Sequence, residues 1–182
     1  LKNPVKKVCA VRGRLTRSQL VEFGLDVPEI YGDPALLLPE MLSFKGSSRK
    51  VVVCPHLAHR QWFTELAGPD LEVIDVADDP ISVIRSLATA EAVISTSLHG
   101  LIVAQAFNVP WVWASMDDNP LDRSHFKFED FFSTLDDPNV EGVALKENLI
   151  SREALLHTAT TAKNYELSID IAALAAAFPN FI

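Results

Sequence analysis

The stretch at residues 92–107, AVISTSLHGLIVAQAF, limits the possible folds of this chain more than any other part of it. It begins with a short apolar, β-branched run, which predicts a strand that is buried on both faces. It then turns through hydroxyl residues and a histidine into an apolar segment with helical spacing. Such a turn directs backbone N–H groups and the positive end of the helix dipole towards one point, so it predicts a site for an anion.

Further segments of the same kind predict the fold class. Apolar runs at residues 5–11, 51–54, 71–76 and 109–114 predict strands, and most are separated by segments with helical spacing. Strands that alternate with helices form βαβ units with right-handed crossovers and a parallel sheet. We therefore expect an α/β fold, a Rossmann-like, doubly wound and mostly parallel sheet over residues 1–150. Residues 151–182 predict a long C-terminal helix, with a break near Ser168.

Composition excludes several classes of protein. The net charge of −8 argues against a general nucleic-acid or anionic-membrane surface, so no nucleic-acid partner is expected. No apolar run reaches the roughly 18 residues that span a bilayer.

The two cysteines indicate the compartment of the protein. Cys9 and Cys54 lie in apolar runs and do not have metal-ligand spacing, which predicts two buried thiols and a reducing compartment. We expect a cytoplasmic protein, free or peripheral at the inner face of the membrane.

Several polar residues directly follow predicted strands. Arg12, His56 and Ser97–His99 do so, and the carboxyl ends of parallel strands meet at one edge of a sheet. His99 can exchange a proton near neutral pH or, as the alternative, cap the helix or bond a nearby carbonyl. Arg12 and Arg17 have the planar donors that suit a carboxylate or phosphate, although Arg17 can equally be a solvated surface residue.

Two further residues are weaker candidates. His56 ends its strand and predicts a polar group facing the crevice, whereas a metal site formed by His56 and His59 lacks a third ligand. Lys127 lies between two phenylalanines, where it can reach a ligand or extend into solvent. Considered alone, these residues predict an anion-binding α/β domain with a titratable histidine, and they do not specify a reaction.

Five segments, taken in order, resemble motifs of the polysaccharide pyruvyl transferase family, and the closest likeness is to its exopolysaccharide or succinoglycan type. The resemblance extends from about residue 8 to residue 135. The segments are RGRLTR at 12–17, YGDPALL at 31–37, CPH at 54–56, STSLHGLI at 95–102 and FKFEDF at 126–131.

The resemblance implies an activity and an architecture. It implies transfer of a pyruvyl group from phosphoenolpyruvate to two hydroxyls of a sugar, which gives a cyclic ketal in exopolysaccharide biosynthesis. No cofactor and no metal are implied, and the acceptor is a saccharide or a lipid-linked oligosaccharide. The implied fold has two Rossmann-like domains arranged as in GT-B glycosyltransferases, with the active site between them. Residues 1–150 would be the donor-binding domain of the C-terminal half. Residues 151–182 would pack on it or cross to an N-terminal domain outside this chain.

The resemblance also implies roles for particular residues. His99 would act as general acid and base, and Arg12 with the backbone of Leu98 and Gly100 would hold the anionic groups of the donor. The supporting substrate-binding residues would be Arg17, His56, Ser97 and Lys127. Ser97 occupies a position where some family members have a basic residue, so this chain has one cation fewer there.

Two other functions stay open on the sequence. The same turn would bind a diphosphate in half of a GT-B sugar-nucleotide transferase or epimerase. Alternatively, the domain retains the fold without catalysis and assembles with polysaccharide enzymes. The apolar tail at residues 172–182 predicts a partner surface, and a homo-oligomer is one form that it can take.

Overall fold

A parallel β-sheet forms the centre of the protein, and it confirms the predicted α/β fold class. The computed structural model describes residues 7–116 and 125–178. The sheet has five strands in the order β2-β1-β3-β4-β5, and every pairing is parallel. The strands are β1 (Val51–Cys54), β2 (Leu71–Val73), β3 (Ala92–Ser95), β4 (Trp111–Met116) and β5 (Val143–Leu145).

The strand order determines where a ligand can bind. From β1 the chain moves to β2 on one side, whereas β3, β4 and β5 continue to the other side. The neighbouring strands β1 and β3 therefore form the topological switch point of the sheet. In open α/β sheets the crevice for a ligand lies beyond the carboxyl ends of the strands at this point.

Helices cover both faces of the sheet, which explains why its central strands are apolar without alternation. Val52 and Val93 face one hydrophobic core, and Val51 and Ile94 face another on the opposite side. The α-helices are α1 (Arg14–Glu22), α2 (Leu38–Met41), α3 (Pro80–Thr89), α4 (Leu98–Ala106), α5 (His125–Phe132), α6 (Arg152–Ala159) and α7 (Ile171–Ala177). Short 3₁₀ helices span Pro34–Leu37, Leu57–Trp62, Thr64–Leu66 and Glu147–Leu149.

Some predicted elements differ from the observed ones. Within the described residues, the strand predicted at 5–11 is reduced to one bridge, in which Val11 pairs with Tyr31. The apolar spacing of residues 60–67 predicts a helix, but 3₁₀ turns are found there, and the His56 ring accepts the Ala58 N–H at their start. The short, partly exposed strand β5 was not predicted. The loop predicted at 116–125 lies almost wholly outside the described residues.

The C-terminal region forms two helices rather than one. Residues between α6 and α7 are extended, and they bond to the domain: Lys163 pairs with Trp111 and Leu167 pairs with Leu135. Leu155 of α6 and Leu174 of α7 are buried in the two different cores. These long-range backbone contacts outweigh the tendency of the local sequence to form one continuous helix. In the part of the chain that is described, no helix is long and apolar enough to cross a membrane.

The two cysteines differ in exposure. Cys54 is 2% exposed, and its burial raises the pKa of its thiol to about 11, against a smaller opposing effect of the Ser95 hydroxyl. The thiol is therefore protonated at neutral pH and unreactive. Cys9 is only half-buried and lines a cavity of about 640 Å³. The prediction of a buried thiol is thus confirmed for Cys54, and Cys9 is more accessible than expected.

We predict that a disulfide reagent such as DTNB modifies Cys9 in the native protein and modifies Cys54 only after unfolding. The reason is that the reagent needs access to a thiolate, which Cys54 does not provide. Labelling stoichiometry in buffer and in denaturant measures this. The variant Cys9→Ser is the control and should leave the native protein unlabelled. Equally fast labelling of both native thiols would contradict the buried position of Cys54.

Candidate active site

The turn between β3 and α4 is built around the hydroxyl of Ser95. This oxygen lies 2.8 Å from the carbonyl oxygens of Cys54 and Ser97, and it accepts the Ser97 N–H at 3.0 Å. A Cβ atom at Gly100 would lie 2.8 Å from the Cys54 sulfur and closer still to the Ser95 hydroxyl. Only glycine therefore allows α4 to approach the ends of β1 and β3 this closely.

The amino terminus of α4 has no side-chain cap. Ser97 occupies the cap position in extended conformation, and its side chain makes no capping hydrogen bond. The N–H groups of the first turn therefore point beyond the strand ends without a local side-chain acceptor. The helix dipole adds positive potential at the same place. This arrangement fits the anion site that the sequence predicts.

His99 lies in that first turn, and its side chain is 72% exposed. Its Nε2 atom is 3.7 Å from Oδ2 of Asp33, a carboxylate that is only 14% exposed. Asp33 is itself fixed, because its Oδ1 accepts the Ala35 N–H at 3.0 Å and begins a 3₁₀ helix. Since this distance is longer than a hydrogen bond and the imidazole is exposed, the contact contributes about 0–1 kcal/mol to stability and places a carboxylate beside the ring.

Arg12 is held close to this pair. Its carbonyl oxygen accepts the N–H of Gly32 at 3.1 Å, directly before Asp33. Its Nε lies 3.3 Å from Oδ2 of the fully buried Asp130. Arg12 and Asp33 line one cavity of about 350 Å³, together with Lys7 and apolar side chains of the C-terminal region. The structure thus brings together Arg12, Asp33 and His99.

His56 and Lys127 form a second group at the site. The His56 N–H donates to the Thr96 hydroxyl at 2.8 Å, and its Nδ1 accepts the Ala58 N–H at 3.3 Å. Burial lowers the pKa of His56, and the positive charge of Lys127 lowers it further. The imidazole is therefore neutral at neutral pH. His56 and Lys127 are distant in sequence, yet they lie close enough for the charge of Lys127 to act on the imidazole.

Arg17 occupies a different environment. Its Nε donates to the carbonyl oxygen of Val27 at 3.1 Å, and its guanidinium lies 3.4 Å from a carboxylate oxygen of Glu29. These contacts hold the segment that follows α1. They do not join Arg17 to Arg12 or His99, and its role in ligand binding stays a prediction.

Three polar residues of the site were not among the predicted ones. Asp33 and Asp130 lie in segments that carry the family resemblance, but a local pattern shows only a turn aspartate and a helical acid. Thr96 is 6% exposed, and its hydroxyl lies within hydrogen-bond distance of both His56 N–H and the His59 ring. Among the described residues, no group of three or more His, Cys, Asp or Glu side chains is arranged to hold a metal ion.

This architecture defines an α/β protein with an uncapped helix amino terminus and an exposed histidine at the switch point of the sheet. The family model for polysaccharide pyruvyl transferase matches residues 3–118, which is more than half of the chain. The chain therefore belongs to the polysaccharide pyruvyl transferase family.

Individual relatives agree with this assignment. The succinoglycan biosynthesis protein ExoV of Rhizobium meliloti (strain 1021) is 31% identical over 135 residues, which are 69% of this chain and 40% of that protein. An uncharacterized protein, L143, of Acanthamoeba polyphaga mimivirus is 28% identical over 137 residues, 70% of this chain and 48% of that protein. This chain thus spans less than half the length of either relative.

A solved structure was also matched. The crystal structure of the glycotransferase of kitacinnamycin aligns with 84% of this chain and 41% of its own, at 14% identity and a TM-score of 0.32. A score at that level carries no argument about the fold, which the parallel sheet establishes directly.

We predict that Lys127→Met raises the pKa of His56, because the substitution removes a positive charge that disfavours the imidazolium. The titration of the His56 ring by NMR measures this. Lys45→Met is the matched control, since Lys45 is exposed and its charge does not act on His56. An unchanged His56 titration in Lys127→Met would show that the two side chains are not neighbours.

Proposed function

We propose that this chain provides the phosphoenolpyruvate-binding part of a pyruvyl transferase that forms a cyclic ketal on a sugar. The observation that carries the proposal is the position of His99. It lies at the uncapped amino terminus of α4, paired with Asp33 and next to the cavity that Arg12 lines. The proposal thus assigns an anion-binding helix end and a proton-transferring group to the same turn.

Phosphoenolpyruvate has two anionic groups, and the site has two kinds of hydrogen-bond donor that can bind them. Phosphoenolpyruvate carries a carboxylate and a phosphate. The Arg12 guanidinium suits either group through paired hydrogen bonds, and the backbone N–H groups of Leu98 to Gly100 suit the other. The Ser97 hydroxyl and the Lys127 ammonium are supporting contacts in this proposal, and a neutral His56 can accept or donate a hydrogen bond.

The reaction needs one proton to move to carbon. Protonation of C3 of the enol phosphate gives C2 oxocarbenium character, and two sugar hydroxyls add to C2 while its bond to the phosphate oxygen breaks. One hydroxyl proton replaces the proton given to C3, and the other leaves with phosphate, so the products are the ketal and inorganic phosphate. We assign to His99 the donation of the first proton and the removal of one hydroxyl proton. To the Asp33 carboxylate, which lies 3.7 Å from Nε2, we assign stabilisation of the imidazolium form of His99.

The remaining parts of the reaction are also proposals. Because the chain spans less than half the length of its two relatives, we propose that the saccharide or lipid-linked oligosaccharide acceptor binds mainly to a further domain. No step of the reaction described above requires a cofactor, and we propose none. A cytoplasmic location and self-association stay predictions.

We predict that His99→Gln lowers acceptor-dependent release of phosphate from phosphoenolpyruvate by about 10²–10⁴-fold, the usual effect of removing a general acid-base group. The assay combines the protein with its acceptor-binding part and compares the rate of phosphate release from phosphoenolpyruvate in the variant and the wild type. His157→Gln is the control, because His157 is exposed at the end of α6. If His99→Gln retained full activity, the catalytic role of His99 would be wrong.

Ligand-induced thermal shifts of this chain separate the pyruvyl transferase from a sugar-nucleotide enzyme. We expect phosphoenolpyruvate to raise the melting temperature of the wild type and of His99→Gln, because the backbone N–H groups and Arg12 are retained. Stabilisation by a UDP-sugar and not by phosphoenolpyruvate would overturn the proposed donor.

A further inference from the structure

Asp130 is a fully buried carboxylate at the edge of the site. It lies on α5, and its side chain is 0% exposed. Its Oδ1 accepts the backbone N–H of Thr16 at 2.8 Å, and its Oδ2 accepts the Thr16 hydroxyl at 2.6 Å. Since a carboxylate removed from water needs such partners, these bonds fix Asp130 against the first turn of α1.

The same carboxylate faces Arg12 through one edge of its guanidinium. Oδ2 of Asp130 is 3.3 Å from Nε of Arg12, and this Nε is buried without a hydrogen-bond partner. In the part of the chain that the structure describes, no contact engages the Nη groups of Arg12, and the side chain is 29% exposed. The two Nη groups are the edge that binds a carboxylate or phosphate in a bidentate manner.

Gly13 makes this arrangement possible. A Cβ atom at Gly13 would lie 2.5 Å from Oδ1 of Asp130 and closer still to its carbonyl oxygen. The absence of a side chain lets the backbone between Arg12 and α1 pack directly on α5. The close approach brings the Nε side of Arg12, rather than its outer edge, to the carboxylate.

We propose that Asp130 is a positioning residue that holds the Nε side of Arg12, so that the two Nη groups face the anionic group of the donor. This inference rests on the proposed function, because it assigns Arg12 to the donor. Asp130 does not touch the donor itself. Its contribution is to fix the guanidinium before binding, which reduces the entropy lost when the donor is bound.

The test is a double-mutant cycle on the full chain, with phosphoenolpyruvate as the probe and its dissociation constant as the readout. Asp130→Asn keeps the size of the side chain, but it removes the charge and can place an amide N–H against Nε. We expect it to weaken binding about tenfold in the wild type and less than twofold in the Arg12→Ala background. Thr134→Val is the control, since it removes a buried hydroxyl bond to Phe131 without involving Arg12. It should lower the melting temperature and leave the dissociation constant unchanged.

The possible outcomes are distinct. Equal weakening by Asp130→Asn with and without Arg12, or none at all, would overturn the positioning role. If the wild type did not bind phosphoenolpyruvate, the proposed function would fail, and the role of Asp130 in donor binding with it. If Asp130→Asn does not fold, the contact between Asp130 and Arg12 is tested in the wild type by the rate at which the Arg12 Nε–H exchanges with solvent. We expect slower exchange than for the exposed Arg49, and equal rates would overturn the contact.

Discussion

The contact between the carboxyl ends of β1 and β3 is the constraint on which the rest of the site depends. Ser95 joins the two strand ends through its hydroxyl, and Gly100 lets α4 pack on them. Any side chain at residue 100 would move the helix away from the strands. The uncapped N–H groups and His99 would then move with it, so the position of the proposed donor site depends on this packing.

Helix α5 connects the two groups of residues around that turn. Asp130 on this helix holds Arg12, and Lys127, one turn earlier, acts on His56. Because the Asp130 carboxylate is fully buried, its desolvation is offset by the two hydrogen bonds from Thr16 and by the neighbouring Arg12 cation. Several of the segments that resemble the family motifs are thus in direct contact, since Asp130 lies beside Arg12 and Asp33 lies beside His99.

The sequence was sufficient for the parallel sheet because its central strands are apolar on both faces and are separated by recognisable helices. It also predicted that Arg12 and His99 follow strand ends, and in the structure Arg12 follows the bridge at Val11 while His99 lies in the first turn of the helix after β3. Thr16 is an example of a long-range contact that the sequence could not predict. As a local signal Thr16 predicts a helix cap, but α1 begins at Arg14 and the Thr16 hydroxyl bonds instead to Asp130, which is more than a hundred residues away in sequence. The contacts of Asp33 with His99 and of Asp130 with Arg12 also join residues that are far apart in sequence, and no local pattern contains them.

The most direct measurement is a ¹H–¹⁵N NMR titration of the chain with phosphoenolpyruvate. Binding at the start of α4 predicts the largest shifts in the amides of Leu98 to Gly100 and in the Arg12 side chain. A cavity of about 740 Å³ at the amino ends of β4 and β5, lined by Trp113 and Tyr165, provides an internal comparison on the opposite edge of the sheet. Shifts confined to that cavity, with the α4 amides unchanged, would contradict a donor site at the switch point.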